Sequence, residues 1–232
     1  MPETPTAAEV LAEVAALDDP KIRAVNARHG DEHGVNLGAL RAIAKRLKTQ
    51  HDLAGELWRT GQVDARLLAL LICRPKAFEI AELDAMLRQA RTPKVRDWFV
   101  SYVVKKSAHA EALRAAWISD DDPLVASAGW GLTADRVQKG KAEGLDLAAL
   151  LDVIEAEMVG APASLQWAMN TCLAQIGIAH PAYRDRALDI GQRLEVLKGY
   201  PTSPGCTSPY APIWITEMVR RQEAATTART RA

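Results

Sequence analysis

From residue 53 to residue 75 the chain reads LAGELWRTGQVDARLLALLICRP. Apolar positions gather up to Leu57 and Trp58, a turn falls at Thr60-Gly61, and a second apolar run covers residues 63–73. In that run Ala65, Leu67, Leu68, Ala69, Leu70, Leu71 and Ile72 leave no clean polar face, so the helix they form is covered on more than one side. Two antiparallel helices joined by a tight turn, one more buried than the other, are the repeating unit of an α-solenoid.

The same rhythm recurs along the chain. Residues 7–16 predict a first helix, and residues 22–35 are less regular and carry HGDEHGV. Leu37, Leu40, Ala44 and Leu47 return at helical spacing, with Arg41, Lys45 and Lys48 in a row on the opposite side. Ile80, Leu83 and Leu87 form a stripe. Thr92-Pro93 reads as a helix start, a capping hydroxyl followed by proline at the first helical position, and Val95, Trp98, Phe99, Tyr102 and Val103 follow as its apolar side. Asp122-Pro123 repeats the start signal, and Pro162 and Pro181 mark two more. Residues 200–212 are rich in Pro, Gly, Ser and Thr and predict a loop before a short last helix over 213–221. No stretch alternates with period two long enough to demand a strand. The reading is about a dozen helices of roughly ten to seventeen residues, with an ordinary globular helical bundle as the alternative to a repeat array.

The chain has 232 residues, 48% of them hydrophobic, enough for a sizeable core. Lys+Arg and Asp+Glu are both 29, which argues against coating nucleic acid by bulk charge while leaving room for a local basic face. Cys73, Cys172 and Cys206 are far apart and odd in number, which argues against a disulfide or zinc scaffold and for a reducing cytoplasm. No run is long enough to span a bilayer, and MPETPT lacks the basic and apolar regions of a secretory signal. A cytoplasmic monomer without membrane contact is expected.

Few constellations point to chemistry. His29 and His33 flank Asp31-Glu32, but Gly30 and Gly34 break a helix there, so a solvated loop is expected and no metal site. Asp120, Asp121 and Asp122 precede Pro123, where capping is their simpler role. No glycine-rich phosphate loop or GxSxG elbow is present, and no cofactor is expected. Three basic groups, Arg41–Lys45–Lys48, Arg136–Lys139–Lys141 and Arg220–Arg221, would contact phosphates if they line one concave surface. Trp98 and Tyr102 lie on an apolar stripe, where core packing is the default. Trp167 falls off the stripe of Leu165, Met169, Cys172 and Ile176, where it could stack on a sugar or base.

The segments HGV at 33–35, LRAIAK at 40–45, LAGELWRTGQVDARLLALLI at 53–72, AMNTCLAQIG at 168–177 and GCTSPYAPIWI at 205–215 resemble the DNA alkylation repair family. Its HEAT-like (ARM-type) repeat proteins include alkylpurine DNA glycosylases. The resemblance implies an all-α α-solenoid of antiparallel HEAT-like helix pairs. It would be a single curved domain over residues 7–222, between a disordered N-terminus (1–6) and a disordered tail (223–232). It also implies duplex DNA on the concave, basic face. Trp130 and Trp167 are read from the sequence as further contact candidates beside the basic groups.

In active members a helix carries Trp-x-x-x-Asp, the carboxylate stabilising positive charge as the glycosidic bond of a cationic alkylated purine breaks. Here residues 96–102 read RDWFVSY: Trp98 matches the Trp, and Tyr102 stands at the Asp position. A phenol is uncharged at neutral pH and cannot supply that electrostatic contribution. Asp97 is adjacent but points about 100° around the helix from Trp98. The family's later Arg is missing from LVASAGWGL at 124–132, and its second Trp falls near Thr171. The leading expectation is therefore a family member that binds duplex DNA, with ordinary alkylpurine excision absent. One alternative is an active DNA glycosylase with a rearranged site using Asp97 or Asp135. The other is a scaffold that binds a protein partner and no nucleic acid.

Overall fold

A computed structural model describes residues 5–230, with side chains for residues 5–227. In chain order the α-helices are α1 (Ala7–Ala15), α2 (Pro20–Ala27), α3 (Leu37–Leu47), α4 (His51–Arg59), α5 (Val63–Ile72), α6 (Ile80–Gln89), α7 (Pro93–Trp98), α8 (Ala110–Trp117), α9 (Pro123–Gln138), α10 (Leu147–Glu157), α11 (Ala163–Ala179), α12 (Pro181–Leu194) and α13 (Ala211–Thr230). Among the described residues there is no strand, and no helix is long and apolar enough to cross a membrane. The all-α reading is correct. Local chemistry sets most helix starts. Thr6 and Glu9 close a reciprocal capping box on α1, and Asp19, Asn36, Asp122 and Asp146 each accept a backbone N–H at the start of α2, α3, α9 and α10.

The chain divides into two compact units, one ending at Leu113 and one beginning at Arg114. The first is built around α5, which packs on α1, α3, α4 and α7. Ala65, Leu67, Leu68 and Ile72 are completely buried, as the absence of a polar face predicts. Leu71 departs from that expectation and is only half-buried. The α4–α5 turn needs φ +75° at Gly61, a conformation that costs glycine nothing. Arg66 explains the Arg of the LW-x-TG-x-x-x-AR segment. Its guanidinium donates to Trp58 O (3.2 Å) and Gln89 O (2.9 Å) and lies 4.8 Å over the Trp58 ring, tying the ends of α4 and α6 together. Leu68→Ala is expected to lower unfolding free energy by about 2–5 kcal/mol in urea titration. A loss under about 1 kcal/mol would show that the site collapses around the deletion.

Residues 28–36 are not the solvated loop the glycines suggested. Asp31 and His33 are 6% and 3% exposed. The Asp64 carboxylate at the start of α5 accepts from Gly34 N (3.4 Å) and Val35 N (3.2 Å), and Asn26 Nδ2 donates to His33 O (2.9 Å). The loop's backbone groups find partners on α2 and α5, so it can be buried.

In the second unit α11 is central and packs on α9, α10, α12 and α13. At Gly129 of α9 a Cβ would lie 2.4 Å from the backbone N of Ile118, so the helix approaches the end of α8 more closely than any side chain allows. The last helix is longer than the expected 213–221. Residues 223–230, expected to be disordered, continue α13. Alanines favour helix there, Thr226 and Thr227 hydroxyls donate to Gln222 O and Glu223 O (both 2.9 Å), and Glu217 pairs with Arg220 and Arg221. Of the proposed disordered ends, residues 1–4 and 231–232 lie outside the described residues, and Thr6 caps α1.

Candidate nucleic-acid interface

The helix that begins at Pro93 does not stay α-helical. After Trp98 it widens into a π-helical turn over Phe99–Val103, then tightens into a 3-10 turn over Val104–Lys106. Val95, Phe99, Val103 and Val104 hold it to the core with 0–1% exposure. Its start is fixed from a distance. Thr92 makes no side-chain cap; instead Asp31 Oδ1 accepts from Lys94 N at 2.7 Å. The buried loop therefore anchors the helix that carries Trp98. Asp31→Ala is expected to leave that N–H unsatisfied and to cost about 1–3 kcal/mol. Chemical denaturation measures it, and an unchanged midpoint would mean that another acceptor replaces the carboxylate.

Four side chains stack along this helix. The Arg41 guanidinium lies 4.7 Å over the Trp98 ring. Tyr102 meets Trp98 edge-on, centroids 5.2 Å apart at 87°. Lys106 Nζ lies 5.4 Å over the Tyr102 ring. The order is cation, indole, phenol, cation, and each contact matches a positive charge or ring edge to a negative ring face. Trp98 is 7% exposed, so it is largely a packing residue, as its place on the apolar stripe implied.

Arg41 also begins the basic row of α3. With Lys45, Lys48, Ala44, Thr49 and the half-buried Leu71 it lines an open cleft of about 330 Å³, and no carboxylate is among the lining residues. Lys45 and Lys48 are exposed and form no ion pair among the described residues. Lys48 has φ 59° and ψ −150°, a region that only glycine enters without strain, at a cost of about 1–3 kcal/mol. The three cations predicted from the sequence are thus brought together, and the first of them sits on Trp98.

The second basic group is committed elsewhere. Arg136 Nε and Nη2 donate to Lys141 O (2.9 Å) and Glu143 O (2.8 Å), closing the loop after α9, and Lys139 pairs with Asp135 at 2.7 Å. These candidates fasten their own surroundings, because short spacing along a helix end favours such local partners. Trp130 is also corrected: at 3% exposure it belongs to the core of the second unit, packed with Met169 and Leu173. Trp167 is 41% exposed and meets Tyr200 edge-on at 5.0 Å.

Of the alternative carboxylates, Asp135 is the partner of Lys139. Asp97 is exposed as a residue, yet the protein around its carboxyl removes enough water to push its pKa up, with Asp31 adding to the rise against Arg96 and Lys94. Asp122 and Asp120 cap the start of α9, accepting from Leu124 N and Asp122 N at 2.9 Å each. No group of three His, Cys, Asp or Glu that could hold a metal occurs among the described residues.

Sequence reasoning missed Asp31, whose partner is 63 residues away and leaves no local signal. It also missed Lys106, which stands four residues after Tyr102 and could have been found from helical spacing.

The sequence model of a family described as DNA alkylation repair enzyme matches residues 10–215. A solved structure from proteins described as a new family related to the HEAT-like repeat DNA glycosylases, with affinity for branched DNA structures, is similar to this chain. The TM-score is 0.74 and the identity 25%, over 94% of this chain and 95% of that one. No curated protein matches.

Proposed function

Because this chain belongs to the DNA alkylation repair enzyme family and has the HEAT-like fold, we propose that it binds DNA through the cleft of α3 and does not excise alkylated purines by the family's carboxylate route. One arrangement supports this reading. Arg41, Lys45 and Lys48 line an acid-free cleft, Arg41 is stacked on Trp98, and a phenol stands where the resemblance requires a carboxylate. Cations that converge on an open surface engage phosphates without reading sequence. The solved relative's affinity for branched structures makes a junction the preferred DNA, with duplex arms as the surface that the cleft holds.

Excision with Asp97 as a relocated carboxylate is the second reading, favoured by its place beside Trp98 and its perturbed ionisation. The cations stacked on Trp98 and Tyr102 count against it, because positive charge fixed beside a developing sugar cation destabilises it.

Fluorescence anisotropy with a duplex and with a four-way junction built from the same arms tests the proposal. The expected result is binding to both, tighter to the junction and falling steeply with salt. No binding to either DNA at low salt would transfer the surface to a protein partner.

A further inference from the structure

We propose that the cleft between Trp167 and the loop after α12 is a stacking site for one unpaired nucleobase. The inference rests on the DNA-binding reading and adds a second kind of contact to it. Trp167 is 41% and Tyr200 48% exposed, large aromatic surface left to solvent. Their rings stand at 67°, and with Pro201, Pro209 and Trp214 they wall an open cleft of about 300 Å³.

The cleft is held in shape. Asn170, 1% exposed, donates from Nδ2 to Pro209 O at 2.9 Å, fixing the far end of the loop to α11. The Thr171 hydroxyl bonds back to Trp167 O at 2.9 Å. Flat apolar walls that exist before binding reduce the ordering cost of the guest.

The polar groups indicate which guest. No side chain lining the cleft carries a charge; its polar lining includes hydroxyls such as that of Thr207, suited to the edge of a neutral heterocycle. Arg221 Nη2 donates to Thr207 Oγ1 at 3.4 Å while its Nε pairs with Glu217 at 2.6 Å, so the ion pair at the margin leaves the cleft itself neutral. A paired base offers no free face, whereas a base unstacked at a branch point or in a single strand does. Every base has a π-face, so the site is tolerant of sequence.

The test uses the full chain and two labelled probes: a fully paired duplex, and the same duplex with a short unpaired strand. Wild type is expected to prefer the second by about five- to 160-fold, the equivalent of ~1–3 kcal/mol of stacking. Trp167→Ala should abolish the preference and leave duplex affinity unchanged, Tyr200→Ala should weaken it, and Trp167→Phe should keep most of it. A preference intact in Trp167→Ala, or absent in wild type that still binds duplex, overturns the stacking site and leaves the DNA-binding reading standing. Failure of wild type to bind either probe at low salt overturns both. A proline-rich peptide that binds wild type and not Trp167→Ala, with no preference for unpaired bases, would make the cleft a peptide groove and overturn the inference.

Discussion

Reversing three charges together, Arg41→Glu, Lys45→Glu and Lys48→Glu, is expected to remove measurable duplex binding while the far-ultraviolet circular dichroism stays that of the wild type. The three residues are exposed, and the residues that hold α3 to its unit, Leu40, Ile43 and Leu47, are untouched. Each phosphate contact contributes about −0.9 to the slope of log K against log salt, so three contribute about −2.7. A neutral variant with Gln at all three positions should therefore lose about forty times less affinity than wild type when salt rises about fourfold. Charge reversal adds repulsion of the phosphates and takes binding below detection. A triple variant that binds as wild type does would place the DNA surface elsewhere on the chain.

Release of free 7-methylguanine or 3-methyladenine from methylated DNA is expected to stay at background. Breaking the bond to an N-alkylated purine leaves a sugar with cationic character, and a fixed carboxylate beside it stabilises that charge directly. The charges stacked on Trp98 and Tyr102 have the opposite sign: Arg41 lies over the indole ring, and Lys106 lies over the Tyr102 ring beside it. Loss of one preorganised electrostatic group costs about 3–4 kcal/mol, or about a hundred- to thousandfold in rate, and here the replacement surroundings add to that loss. Tyr102→Asp would restore a carboxylate next to the indole, but the Lys106 ammonium is placed to pair with it. The single variant should therefore gain little, and Tyr102→Asp with Lys106→Met should gain more. Neither should reach full activity, because position 171 is Thr and the family's later Arg is absent. Chromatography of bases freed from methylated DNA checks this. Release by the wild type at rates typical of a glycosylase would sink it.

How much of this was readable depended on the range of the interaction. Pro93, Pro123 and Pro181 start α7, α9 and α12 as their fixed φ and missing N–H dictate, and the side-chain pattern of 63–73 announced the most buried helix of the first unit. Arg41 and Lys45 share a cleft because their spacing puts them on one face of α3, and Lys48 joins them from the residue that ends the helix. The loop of Asp31 and His33 was misjudged because its partners, Lys94 and Asp64, are far along the chain. Trp130 was misjudged because α9 is buried on nearly every side, so a Trp within it packs into the core. The π-helical turn after Trp98 was invisible to a reading that assumes 3.6 residues per turn throughout; such turns gather at functional sites. Exposed Trp167 was legible from its position off the α11 stripe, but its partner Tyr200 lies in a loop that periodicity does not describe.

The backbone of Lys48 sets two selective pressures against each other. Glycine adopts φ 59°, ψ −150° without strain, so Lys48→Gly is expected to raise the unfolding free energy by up to ~1–3 kcal/mol, and the melting temperature with it. The same change removes one of the three cations of the cleft and should lower the salt slope of DNA binding by about 1. A variant library sorted by thermal survival alone would therefore enrich glycine at position 48 and drift away from DNA, while a library sorted by DNA retention would hold the lysine and accept the less stable fold.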